Sequence, residues 1–153
     1  MTTELMALLS DQTNSFINQV KGNIVSSGSN ATGESAKSIV YEITETQHKI
    51  TITVLGKPYF SVLETGRKAT PGVKPGRAMI ENIQKWCAVK GKPESAAWGI
   101  ATNIQKHGTK LFQKGGRTDI YTDLKEGFAD KIFMEVTENL ASEFFRQAQV
   151  AFK

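Results

Sequence analysis

The sequence predicts an α+β fold: an N-terminal helix packed on a small antiparallel β-hairpin, two central helices and a long C-terminal helix. Three observations carry this. Apolar residues recur at helical spacing through about the first 24 positions. Two segments rich in β-branched residues then alternate with period two. A final apolar stripe at three- and four-residue steps continues for about 30 residues. At 153 residues the chain suits one domain, read as a core over 1–117 and a long helix over 118–153.

The first stripe is Leu5, Leu8, Leu9, Phe16, Ile17, Val20 and Ile24, broken by polar Gln12 and Thr13. Thr2 or Thr3 supplies a cap, and the helix is expected to end near Ser26. Ser27 to Gly33 reads as a flexible loop. Ile39, Tyr41 and Ile43 form one strand face, and Ile50, Ile52 and Val54 the next, with Glu45 to His48 as the turn. A lone hairpin is marginal in water, so the first helix is expected to cover it, with further pairing in an oligomer possible.

Gly56-Lys57-Pro58 stops the second strand. Tyr59 to Thr65 is a short helix or turn ended by Gly66, and Arg67 to Arg77 is a Pro/Gly-rich loop. Ala78 to Lys90 is a helix with Met79, Ile80, Ile83, Trp86 and Cys87 on one face. Pro93 at a first helical position opens another, carrying Ala97, Ile100, Ala101 and Ile104 to about His107. Gln113 to Arg117 is a second loop. Asp119 or Thr122 starts the last helix, with Leu124, Phe128, Ile132, Phe133, Val136, Leu140, Phe144 and Val150 as its stripe. A helix this long in a small domain is expected to stand out from the body and meet a partner through Leu124, Phe128, Phe133, Leu140 and Phe144.

Charge is polarised along the chain. Residues 1–66 carry four Lys/Arg against six Asp/Glu, residues 67–117 eleven against two, and residues 118–153 four against seven. The three segments are therefore −2, +9 and −3, which sum to the net +4. The basic cluster comprises Arg67, Lys68, Lys74 and Arg77 in the first loop, and Lys106, Lys110, Lys114 and Arg117 around the second. These residues suit either a polyanion or the acidic ends of a neighbouring copy. With no recognition helix and no ladder of stacking aromatics, any DNA contact is expected to be non-sequence-specific.

Nothing points to chemistry, and the chain is expected not to be an enzyme. His48 falls in a turn and His107 at a helix end, neither in a metal-ligand pattern. The lone Cys87 reads as a small buried hydrophobe, and one cysteine forms no intrachain disulfide, consistent with a reducing cytoplasm. No nucleophile elbow or phosphate loop occurs, and neither cofactor nor metal is expected. No apolar run approaches the roughly 20 residues of a membrane span, and Met1 to Ser10 has no secretory pattern.

Several segments resemble a known family. Thr32-Gly33 with Ser38-Ile39, the strands to Leu55, the aromatic-rich turn Tyr59-Phe-Ser-Val-Leu-Glu64-Thr-Gly66 and the loop Pro71 to Gly76 resemble the tail-completion and neck proteins of tailed bacteriophages, typified by the lambdoid head–tail joining proteins. Trp86 to Gly116, including Ala96-Ala-Trp98-Gly-Ile-Ala101, is similar to phage and prophage proteins of this kind. The resemblance covers roughly 1–117. It implies a virion structural protein made in the host cytoplasm, a homo-oligomeric ring of six or twelve copies joining the head connector to the tail. Its partners would be sister subunits, portal or connector and tail proteins, and the genomic DNA passing through during ejection, with no membrane. The acidic C-terminal helix departs from the compact family pattern and leaves open which ring is formed, the elaborated necks of short-tailed crAss-like phages being one possibility. The alternative carried beside it is a small non-sequence-specific DNA-binding protein.

Overall fold

The first helix forms because its buried side chains recur at three- and four-residue steps. In the structure, a computed structural model describing residues 3–28, 33–46 and 49–151, helix α1 (Thr3–Ser26) buries Leu5, Leu9, Thr13, Ile17, Val20 and Ile24 on one stripe. Thr13, read from sequence as a break, belongs to that stripe, because its hydroxyl donates to the Leu9 carbonyl at 2.7 Å and satisfies itself within the helix. Thr2, Thr32 and the turn residues Gln47 and His48 lie outside the described residues.

After the single turn α2 (Glu34–Lys37) come strands β1 (Val40–Thr46) and β2 (Lys49–Leu55), paired antiparallel from Val40↔Leu55 to Thr46↔Lys49. The ladder runs through Glu45 and Thr46, so the turn is shorter than the four residues expected. Tyr41 and Ile43 stand opposite Val54 and Ile52, which places all four on one sheet face. That face covers α1, and Asn14 donates to the Tyr41 hydroxyl at 3.1 Å.

Helix α7 (Thr122–Ala151) runs antiparallel to α1. Phe16 stacks on Phe128 with centroids 4.5 Å apart, and Asn23 donates to the carbonyl of Asp119 at 2.8 Å. Rather than standing out from the body, α7 lies along α1, because Ile120 and Leu124 complete the core of Ile17, Val20, Ile24, Ile39 and Leu63. The 1–117 segment is thus not a core by itself.

A second pair of helices, α4 (Arg77–Val89) and α5 (Ala96–His107), packs mutually around Cys87, Ala97 and Ala101. Helix α5 starts three residues later than Pro93. Residues 93–95 form a turn, with Ala96 N–H donating to the Pro93 carbonyl at 3.0 Å. Two single turns link this pair to the rest: α3 (Val62–Thr65) and α6 (Lys110–Gln113), the latter not anticipated from sequence.

Candidate interaction surfaces

The turn Glu64-Thr-Gly66 acts as the bolt between the two parts of the molecule. Glu64 is 4% exposed. Its Oε1 accepts from the backbone N–H of Ile120, Tyr121 and Thr122 at 3.0, 2.7 and 3.0 Å, and its Oε2 from the Thr122 hydroxyl at 2.5 Å. Ile120 and Tyr121 lead into α7 and Thr122 is its first residue, so a carboxylate from 58 residues upstream caps the entry to the helix. Asp119, one of the two cap residues expected, is instead held by Arg117 in a two-pronged pair, Nε–Oδ1 and Nη2–Oδ2 both 2.6 Å. The Arg117 guanidinium, through that hydrogen bond, holds the Asp119 carboxyl below its usual range.

Gly66 has φ 70° and ψ 171°, and Gly108 φ 77° and ψ 177°, a region essentially closed to other residues. Between them Thr109 N–H donates to the Arg67 carbonyl at 3.0 Å, and Arg67 N–H to the Thr109 hydroxyl at 3.0 Å. A Cβ on Gly66 would collide with Thr109 and Phe112, and one on Gly108 with the Arg67 carbonyl. Further along, Thr70 N–H donates to the Gln105 carbonyl at 2.7 Å, and the Thr70 and Gln105 side chains are bonded as well.

This stitching decides which basic residues meet. It lays Arg67 and Lys68 beside the corner between α5 and α6, where Lys106 and Lys110 also stand exposed. Two members of each basic cluster, about 40 residues apart in sequence, are thereby brought to one exposed corner. Lys74 and Arg77 continue away along the loop to the start of α4, where Arg77 pairs with Glu81 at 2.7 Å. Lys114 sits at the end of α6. Arg117 is committed to Asp119 and does not join the patch.

Helix α7 has two apolar faces, one after the other. Leu124, Phe128 and Ile132 are half-buried and turned toward α1. Beyond them the inner face becomes mostly polar, with half-buried Glu135, Asn139 and Glu143 beside Val136. Phe133, Leu140 and Phe144 lie about 140° around the helix from the inner set at 100° per residue, and are 73, 56 and 70% exposed. Met134 and Phe145 flank them, also exposed. Of the five partner-helix positions, then, Leu124 and Phe128 serve the fold and Phe133, Leu140 and Phe144 face solvent. That inner face is satisfied at Glu143 but not at Glu135, whose Oε2 is buried without a hydrogen-bond partner among the described residues. Glu143 accepts from Arg146 at 2.7 and 2.9 Å and from Gln147 at 2.8 Å, and these bonds lower its carboxyl to about 2.

A second apolar feature, missed by sequence reading, is a groove of about 680 Å³ between α4 and α5. Ile83, Trp86, Ile100 and Ile104 line it, with Lys92 and Lys110 also at its walls. The sequence shows an apolar face on each of these two helices, and on α4 only Cys87 of that face is fully buried. The signal available was the surplus of large apolar residues over what a two-helix pair can enclose.

Among the described residues no group of three or more His, Cys, Asp and Glu side chains is placed to hold a metal ion, and no helix is long and apolar enough to cross a membrane. His107 is exposed in the last turn of α5. No family model, curated protein or solved structure matches the chain.

Proposed function

We propose that the chain is a structural subunit that assembles with copies of itself into a ring of a phage neck or tail, joining head connector to tail and passing DNA. The observation that carries this reading is the outward apolar face of α7, where Phe133, Leu140 and Phe144 stand open on an otherwise acidic helix. Large exposed apolar residues gathered on one face mark an association surface. The charge division supports it: the +9 segment is essentially the α4–α5–α6 part, and the two acidic segments make the part built from α1, the hairpin and α7. Opposite charge on opposite parts of one subunit favours head-to-tail contact, which forms a ring where the rotation between copies closes. The resemblance of segments within 1–117 to neck and tail-completion proteins supplies the setting. Electron microscopy and mass photometry of the purified chain, alone and mixed with connector and tail proteins, test it. Closed six- or twelvefold rings are expected. A chain that stays monomeric alone and joins no connector or tail assembly overturns it.

A second reading, a small DNA-binding protein without sequence preference, is favoured by the merged patch of Arg67, Lys68, Lys106 and Lys110. If the monomer used all four, duplex affinity would fall with salt at a log–log slope of about −3.6. Replacing all four with glutamine would abolish binding, whereas changing Arg117 would not. Unaltered binding by the fourfold variant eliminates this reading.

A further inference from the structure

We infer that the exposed face of α7 docks into the α4–α5 groove of a second copy of this chain, so that the contact between subunits is a ridge on one copy entering a groove on the next. The inference rests on the ring reading above and specifies which surfaces meet. Ridge and groove match in chemistry. The ridge is Phe133, Leu140 and Phe144, and the groove walls are Ile83, Trp86, Ile100 and Ile104. They match in charge as well. Helix α7 carries six carboxylates against three cations, with Glu126, Asp130 and Glu138 exposed, while Lys92 and Lys110 stand at the groove within the +9 segment. Length agrees too. From Phe133 to Phe144 a helix rises about 16 Å, and the 13 and 12 residues of α4 and α5 span about 18–20 Å. An amphipathic helix laid in an apolar groove is a common recognition mode, with anchors at the spacing seen here.

Gly99 adds an independent observation. It lies inside α5 on the groove wall, with no unusual φ, and a Cβ built there meets nothing within 4 Å. Glycine inside a helix costs about 1 kcal/mol against alanine, and nothing within the subunit requires it. A bare helix backbone at that point lets a second helix approach closely.

The two surfaces lie on different parts of one subunit, so the contact is heterologous and leaves a free ridge and a free groove at each end. That is the kind of interface that propagates into a ring.

The test uses the full chain and two variants. Gly99→Gln fills the groove and improves helix propensity in open space, so the fold should be undisturbed. Leu140→Gln combined with Phe144→Gln removes the ridge at exposed positions. Circular dichroism and thermal melting are expected to show both folded as the wild type. In mass photometry and light scattering, each variant alone should self-associate at least about tenfold more weakly than wild type. Mixed in equal amounts, the intact ridge of the first should enter the intact groove of the second, giving a 1:1 heterodimer that grows no further. If Gly99→Gln assembles as wild type while the ridge variant does not, α7 packs on α7 and the inference fails. Wild-type rings unaffected by either change overturn the docking but leave the ring reading standing. A wild type that joins connector proteins yet never self-associates also overturns the docking alone.

Discussion

Replacing Glu64 with alanine removes a single side chain and frees four donors: three backbone amides at the entry to α7 and the Thr122 hydroxyl. An N-cap is worth about 1–2 kcal/mol, and a partly buried charge at a helix terminus up to about 2. Loss of the one buried methylene that alanine does not keep adds about 0.8 kcal/mol. Because the Ile120 amide is wholly buried, water reaches it poorly, and an unsatisfied donor there adds to the cost. The expected destabilisation is about 4 kcal/mol, a large part of the stability of a domain this size. Glu64→Gln keeps the methylenes and one oxygen for the amides but loses the charge, and is expected to cost about 1–2 kcal/mol. Urea unfolding followed by circular dichroism, compared at common slope, reads both values. If Glu64→Ala costs less than about 1 kcal/mol, the carboxylate is not what holds the start of α7. If the glutamine variant is as stable as wild type, the charge plays no part.

Gly66→Ala should destabilise by about 3 kcal/mol or more, since its backbone lies in a glycine-only region and a Cβ meets the α6 turn; thermal melts would show it, while Gly72→Ala, with open space around it, should suffer only the milder cost of its φ of 82°. NMR titration should find the Glu143 carboxyl lowered to about 2, and Arg146→Ala should move it up toward the ordinary 4.5. Because that folded value is depressed, the pairing stabilises fully above about 4.5 and is lost as pH falls toward about 2, so Arg146→Ala should flatten acid unfolding in that window. The Cys87 thiol is fully buried between α4 and α5, so a thiol reagent should label it only as fast as that helix pair opens, and denaturant should accelerate labelling steeply.

Local pattern by itself determined the long elements, though not the single turns α2 and α6. The stripe from Leu5 to Ile24, the alternation around Tyr41 and Ile52, and the final 30-residue helix are all readable because period 3.6 and period 2 place side chains on one face whatever surrounds them. Charge polarity was equally plain, since it is a count along the chain. Tertiary structure alone decided what those faces meet. Sequence shows one unbroken stripe on α7, yet Leu124 and Phe128 lie against α1 while Phe133, Leu140 and Phe144 lie in solvent, because α1 covers only one side of the helix. It shows Arg67 and Lys110 in separate segments, yet the Arg67–Thr109 bonds bring them together and Asp119 removes Arg117. Most of all, the cap of α7 comes from Glu64, 58 residues away. A hydrogen bond needs proximity in space, and no periodicity along the chain encodes which distant carboxylate will arrive at a helix end.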